Sequence, residues 1–433
     1  MKSFLLLSVV ILLSSCNGIK SIKEAFSDKP PYQKYKESLT SAGLENTALA
    51  QKWIIAGQRA LTDSIAIRLP FRETGYFTDT HPASRSFSFQ ANEGQILKIV
   101  CEATLEEQSY LFLDLFQYKG KEWKQVEHAD STMRMTYEIE TTGRYLIRLQ
   151  PPLLTKSYYD VQILIDPVLK NPVRGATNQS IGSFYGDPRD GGTRTHEGID
   201  IFAARGTPVI APTEGYITRV GSNRLGGNTI WLKDSKRGQS YYFAHLDKQL
   251  TQAGKKVMPG DTLGLVGNTG NAKSTPPHLH FGIYSQGSKD PIHYIKTISN
   301  TTVTFNTDYS AFSRYFITSP SYINLRSGPG SSYKVLCQLE KNTAVTPIGQ
   351  HGDWLRIELP DHKQGYLFKK LISPIGAELE DLLLLSQPLY SSASNDAIPI
   401  MQLPDSTSAK VLGVFKNFSY IKTFNEQEGW ISK

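Results

Sequence analysis

Cysteine is scarce in this 433-residue chain, with only Cys16, Cys101 and Cys337. The last two stand more than 200 residues apart in stretches of different character, so no disulfide framework holds the fold and both read as buried free thiols. Dense runs of Lys and Arg interleaved with aromatics are also missing, which excludes a nucleic-acid footprint and leaves no nucleic-acid partner. The excess of 47 basic over 40 acidic residues, a net +7, is too diffuse to name an anionic partner. At 20% charged and 39% hydrophobic residues, neither disorder nor coiled coil is expected. The apolar run from Phe4 to Leu13 falls short of the ~20 residues a membrane-spanning helix needs.

That run is nevertheless informative. Lys2 precedes it and Ser14, Ser15 and Cys16 follow, giving the charged, apolar and small-residue regions of a secretory signal over residues 1–15. Leu13-Ser14-Ser15-Cys16 resembles the lipobox of bacterial lipoproteins, which implies lipidation of Cys16 and a chain secreted across the inner membrane and anchored to a cell-envelope membrane.

The length predicts several domains, and 22 Tyr with 19 Phe lean toward strands, so a mainly β, multidomain protein is expected. Residues 16–64 read as a lipidated tether, with Lys29, Pro30, Pro31 and Tyr32 in it, followed by a helical segment with Leu49, Trp53, Ala56 and Ala60 on one face. Residues 65–167 carry short β-runs (Ser86 to Phe89, Leu97 to Val100, Leu111 to Phe116, Tyr145 to Leu149, Val161 to Ile165) and predict an antiparallel sandwich. Residues 168–299 are rich in Gly and turns. Residues 312–374 contain Ile323-Asn324-Leu325-Arg326-Ser327-Gly328-Pro329-Gly330 and a closing Gly365-Tyr366-Leu367, and resemble the bacterial SH3-type domains. Residues 375–433 read as a second, degenerate copy, because Ser408 to Leu412 echoes Ser332 to Leu336 and Gly429-Trp430-Ile431 echoes the closing triplet. Two readings stand for Tyr322, Trp354 and Tyr366: exposed aromatics that bind a ligand, or core residues, the second as strong as the first for Trp354.

Of nine histidines, four fall in three short segments of the 168–299 block. In Thr195-His196-Glu197-Gly198-Ile199-Asp200-Ile201, the composition favours a strand, where residues four apart share a face, so His196 and Asp200 can reach one point and offer an imidazole and a carboxylate to a metal. In Pro277-His278-Leu279-His280-Phe281 the period of two puts both imidazoles on one face and Leu279 in the core; one of them can complete a metal shell while the other faces substrate. Tyr242-Phe243-Ala244-His245-Leu246 supplies one more imidazole. Three protein ligands with an open position are the mark of a catalytic rather than a structural metal.

In this block the sequence resembles the lysostaphin-type, LytM-like zinc endopeptidases. The resemblance is carried by the His-x-x-x-Asp and His-x-His pairs, Gly206-Thr207-Pro208-Val209, Ala244-His245-Leu246, Gly267-Asn268-Thr269-Gly270 and Asp290-Pro291. It implies a β-sheet peptidase domain, Zn2+ held by His196, Asp200 and His280, and His245 and His278 as catalytic histidines that do not bind the metal. It further implies hydrolysis of cross-links or stem peptides of peptidoglycan. Phe243 stands where the family often has Tyr, and Gly282 where it often has Glu. The competing readings are a non-enzymatic activator or scaffold of wall hydrolases, and a zinc peptidase acting on Gly-rich protein.

Overall fold

The computed structural model describes residues 29–105, 111–376, 379–394 and 396–433, so the apolar run and Cys16 lie outside the described residues. The chain is mainly β, as its aromatic content predicts. Its first described element is nonetheless a helix: α1 (Pro31–Ser41) occupies the stretch expected to be a tether. The reason is local. Pro31 sits at the first helical position, where a missing N–H costs nothing and a fixed φ suits the helix. Helix α2 (Ala48–Arg59) starts at Thr47, whose side chain accepts from the Ala50 N–H. Its buried face is Ala50, Trp53 and Gly57, turned slightly from the expected one. Trp53 is fully buried, stacks on Tyr32 with ring centroids 4.7 Å apart, and donates from Nε1 to the Pro151 carbonyl at 2.8 Å. Both helices are thereby fastened to the sandwich. Among the described residues no helix is long and apolar enough to cross a membrane.

The sandwich strands are β1 (Phe71–Phe77), β2 (Arg85–Ala91), β3 (Gln95–Leu105), β4 (Phe112–Lys119), β5 (Glu122–His128), β6 (Arg134–Glu138), β7 (Gly143–Gln150) and β8 (Ser157–Pro167). One sheet runs from the short strand Ile65–Ala66 through β2, β7, β4 and β5; the other contains β1, β8, β3 and β6. Inward residues such as Phe87, Leu97, Leu115, Tyr145 and Val161 form the core between them. Cys101 lies in that core, and burial pushes its thiol up to about 12, so it is an inert packing residue; Cys337 is only half-buried.

The peptidase-block sheet orders as β9 (Ile181–Ser183), β10 (Ile199–Phe202), β14 (His278–Tyr284), β13 (Gln239–Leu246), β12 (Gly227–Asp234) and β11 (Gly215–Asn223). Its core holds Ile199, Ile201, Phe243, Leu279 and Phe281. This block is pinned to the sandwich by Lys289 and the Tyr294 hydroxyl, both donating to Glu93, and by the Arg237 ion pair with Glu138.

The C-terminal strands are β15 (Phe316–Thr318), β16 (Tyr322–Arg326), β17 (Val335–Glu340), β18 (Ala344–His351), β19 (Trp354–Glu358) and β20 (Gln364–Phe368), then β21 (Glu380–Leu384), β22 (Gln387–Tyr390), β23 (Pro399–Leu403), β24 (Thr407–Phe415), β25 (Phe418–Thr423) and β26 (Glu428–Ser432). The two sets pair alike, β15-β18-β19-β20-β16-β17 against β21-β24-β25-β26-β22-β23. Both have a register shift at a glycine, Gly349 in β18 and Gly413 in β24. Gly429 therefore matches Gly365, but the other echo is misplaced by a strand: Lys334 to Leu336 leads into β17, whereas Ser408 to Leu412 lies in β24, the counterpart of β18. Short alternating apolar runs look alike on neighbouring strands, and only the pairing separates them.

The first of these units is not a free arm. Strand β18 pairs with β1 at Thr74↔Gln350 and Gly75↔Gly349, so one sheet continues from the sandwich into it. Across the junction Glu73, fully buried, accepts from the Tyr159 hydroxyl at 2.8 Å, from Arg356 at 3.4 Å and from the Tyr366 hydroxyl. Of the two readings open for the three aromatics, the core one holds for Tyr366, which is fully buried, and Trp354 is partly buried against the sandwich core; Tyr322 alone is exposed.

Candidate metal centre

Strands β10 and β14 set the centre by register. Asp200 lies directly opposite His280, and Phe202 opposite His278, while Ala244 of β13 flanks His280 on the other side. His196 arrives differently from the expected continuous strand. The chain is irregular from His196 to Gly198, and β10 begins only at Ile199. The His196 N–H donates to the Asp187 carbonyl and its own carbonyl accepts from Gly186, so a neighbouring loop holds the residue in place. Gly198 makes the approach possible. A Cβ there would fall 2.5 Å from the Phe281 carbonyl oxygen and 2.8 Å from His280 Cε1, closer than side chains tolerate.

His245 is the other irregular position. It stands one residue before the end of β13 with φ 62°, where the pairing with β12 shifts register between Asn228 and Ile230. A non-glycine residue with positive φ at a bulge commonly marks a functional side chain, and here the turn brings the His245 ring within 5.1 Å of His278 and 6.0 Å of His280, centroid to centroid.

Three donor atoms converge. His196 Nε2 lies 2.9 Å from His280 Nδ1, and each is 3.1 Å from Asp200 Oδ1. Zinc–ligand bonds of about 2.0–2.1 Å in a tetrahedral shell place ligands roughly 3.3 Å apart, so these atoms already stand close to one face of such a shell. Their hydrogen bonding suits the role. His196 Nδ1 is 2.8 Å from the Phe184 carbonyl, which can only accept, so Nδ1 carries the proton and Nε2 turns its lone pair inward. Arg189 donates to Asp200 Oδ2 at 3.0 Å and also to Ser183, leaving Oδ1 for the cluster. Burial pushes the Asp200 carboxyl up, but the His196 and His280 imidazoles packed against Oδ1 outweigh it and hold the group well below the usual carboxylate range.

The remaining histidines share one tautomer. His278 Nδ1 donates to the Pro276 carbonyl at 2.8 Å and His245 Nδ1 to the Thr269 carbonyl at 2.9 Å, so each keeps Nε2 unprotonated. His278 Nε2 is 4.0 Å from Asp200 Oδ1. Burial lowers the His245 pKa to about 4, against the Thr269 hydrogen bond, which raises it. Tyr242, whose hydroxyl accepts from Asn223, brings its ring 5.9 Å from His280 and stacks toward Trp231 and Tyr284, forming an aromatic wall. Phe243, one residue on, points into the core.

All five residues singled out from the sequence in this block therefore come together, and His196, Asp200 and His280 form the one cluster among the described residues able to hold a metal ion. Sequence reasoning missed Arg189, the Phe184 carbonyl and the steric demand at Gly198. An arginine seven residues before the histidine carries no periodic signal, and a backbone acceptor carries none at all.

A β-sheet presenting a His/Asp/His donor set beside two unprotonated imidazole nitrogens defines a metallopeptidase-type centre. Residues 194–291 match Peptidase family M23 and residues 321–373 match the Bacterial SH3 domain, so the chain carries an M23 peptidase domain and a bacterial SH3 domain. It is similar to the L-Ala--D-Glu endopeptidase of Bacillus subtilis, 40% identical over 27% of this chain and 38% of that protein. The peptidoglycan DD-endopeptidase ShyC of Vibrio cholerae is 33% identical over 23% of this chain and 22% of that protein. Among solved structures, the catalytic domain of the antimicrobial peptidase lysostaphin from Staphylococcus simulans is 34% identical over 26% of this chain and 87% of that one, with a TM-score of 0.24. The match spans well under half the length of the curated relatives.

Proposed function

We propose that this chain is a zinc-dependent endopeptidase that hydrolyses cross-link or stem-peptide bonds of bacterial peptidoglycan. The observation that carries the reading is the convergence of His196 Nε2, Asp200 Oδ1 and His280 Nδ1, at 2.9–3.1 Å from one another, next to two imidazoles with free Nε2 atoms. The relatives named as wall endopeptidases support the substrate class. When bound at these residues, zinc supplies a water acidified toward a pKa of ~7 and a Lewis acid for the scissile carbonyl.

The chain's own groups do the rest. His278 Nε2 accepts the proton of the attacking water, since it is the free imidazole nitrogen beside Asp200. His245 stands across the same site, and the proton that His278 takes from the water is the one returned to the leaving nitrogen, directly or by way of His245 Nε2. Arg189 keeps the Asp200 carboxylate from rotating, and the Tyr242 wall shields one side from water. We further propose that the chain is exported and anchored through lipid on Cys16, on the strength of the signal-like run and lipobox-like tetrad alone.

The test is digestion of purified peptidoglycan with mass analysis of the released fragments, with zinc measured on the same protein. New amino and carboxyl ends in the stem or bridge, lost on chelation and restored by Zn2+, support the reading. Intact wall under conditions where the protein holds stoichiometric zinc sinks it.

A further inference from the structure

A second feature lies away from the metal centre, where α2, the sandwich and the first C-terminal unit meet. A cavity of about 720 Å³ opens there. Its rim is basic on balance: Lys52 and Arg59 come from α2 and Lys363 from the β19–β20 turn, all three exposed, against one exposed carboxylate, Asp63. Its inner wall includes Arg85, which is only 3% exposed. Ile55, Pro82 and Leu336 add apolar surface.

Arg85 is the anomaly. Its Nη1 and Nη2 donate to the Ser84 and Tyr76 carbonyls at 3.1 Å, but its Nε–H has no acceptor. Among the described residues no carboxylate pairs with it. The nearest wall carboxylate, Glu358, is already engaged by His362 at 3.0 Å and by Gln364 at 2.9 Å, and Glu73 is taken by Arg356 and two tyrosines. Arg85 lies over the Phe77 ring at 5.0 Å, and Glu358 and Glu73 act on it without contact; a buried guanidinium with no contacting carboxylate is costly.

We infer that this three-way junction is a binding site for a short peptide bearing free carboxylates. Arg59 provides the planar donors that suit a carboxylate, Arg85 places a fixed positive charge behind the inner wall, Lys52 and Lys363 add charge at the mouth, and the apolar wall takes aliphatic side chains. The volume fits several residues and far exceeds an inorganic ion. Under the activity proposed above, each hydrolysis creates a new peptide carboxylate, so the chain's own products belong to this class. That link rests on the proposed activity; the site itself does not.

Calorimetry on the full chain, stripped of metal by a chelator so that nothing is cut, tests the idea independently of catalysis. The probes are a synthetic L-Ala-γ-D-Glu-L-Lys-D-Ala peptide with free carboxylates, the same peptide with its carboxylates amidated, and inorganic phosphate. The free acid is expected to bind roughly tenfold or more tightly than the amide, the worth of one lost charge-assisted contact. Arg85→Gln tests the inner wall but risks misfolding. Arg59→Gln and Lys363→Gln sit at the exposed rim, and each is expected to weaken the acid by roughly tenfold with an unchanged unfolding temperature. No heat with the acid, equal affinity for acid and amide, or wild-type affinity in both rim variants would overturn the inference. So would phosphate binding as tightly as the peptide, which would assign the cavity to a phosphate polymer or lipid headgroup instead.

Discussion

Two of the buried polar clusters among the described residues are built on opposite plans. At the junction, Glu73 accepts from Tyr159, Arg356 and Tyr366, three donors around one acceptor, so charge and hydrogen bonds close on themselves. Burial, reinforced by Glu73, pushes both phenols well up, so they remain donors. At the metal centre the count is reversed. His196 and Asp200 are fixed from outside, by the Phe184 carbonyl and Arg189, so that their lone pairs face inward with too few protons among them. A cluster that satisfies itself holds domains together, whereas one arranged so that acceptors face acceptors is waiting for a cation.

The sharpest way to break this contrast is at the metal centre. His280→Ala removes one of three donors and is expected to lose both bound zinc and wall digestion. His278→Ala is expected to keep its zinc and lose ~10²–10⁴ in rate, because the missing group moves a proton and binds no metal. Metal analysis beside a digestion assay separates the two, and zinc loss in the second variant would show the pair assigned the wrong way round. At the junction the expected loss is of stability. Glu73→Ala leaves Arg356 buried without its partner and is expected to cost about 3–5 kcal/mol in urea unfolding, with zinc uptake unchanged. A change below 1 kcal/mol would mean that the network contributes little to holding the units together.

The two clusters also differ in how far the sequence revealed them. His278 and His280 were legible because their spacing equals the strand period and Leu279 between them is a core residue. His196 and Asp200 were placed together by the spacing of an assumed continuous strand and His245 took its role from family resemblance, while the physical devices that position them, an irregular stretch ending at Gly198 and a positive φ at His245, leave no trace in periodicity. Glu73 was invisible. It is one acidic residue in a strand, and its partners lie 86 to 293 positions away, so nothing local distinguishes it from a solvated glutamate. For the same reason the sequence left Tyr366 open between surface and core: burial by another domain is a property of the assembly, not of a strand.

A glycine guards each cluster, which permits a finer comparison. Gly198→Ala sets a methyl against the Phe281 carbonyl and the His280 ring, so β10 or the imidazole must move. Zinc affinity is expected to fall about 10-fold or more, as it does when groups that orient a ligand are disturbed. Competition with a chromogenic chelator measures it, and wild-type affinity would mean that the centre tolerates the shift.

The smallest effect expected is at the repeated bulge, and it tests whether a buried charge makes a site rigid. Gly349 and Gly413 hold the same place in the two C-terminal units, but they face different neighbours. A Cβ at Gly349 would lie 3.1 Å from the Thr74 carbonyl oxygen and 3.2 Å from Glu73 Oε1, both fixed by strand pairing and by the network. At Gly413 it would lie 3.2 Å from Ile317 Cγ2 and 3.3 Å from Ala344 Cβ, aliphatic atoms of which the first belongs to a side chain able to rotate. The clearances are nearly equal, so any difference comes from what the neighbour can do. Overpacking against a fixed hydrogen-bonded wall costs about 1–3 kcal/mol, while contact with a movable methyl costs less than about 1 kcal/mol. Gly349→Ala is therefore expected to lower stability more than Gly413→Ala in parallel urea titrations. The Gly349→Ala loss is also expected to shrink in a Glu73→Gln background, where a neutral amide replaces the carboxylate that Arg356 holds in an ion pair. Equal losses at the two glycines would show that the bulge geometry, shared by both units, sets the cost, and that the buried charge adds nothing to it.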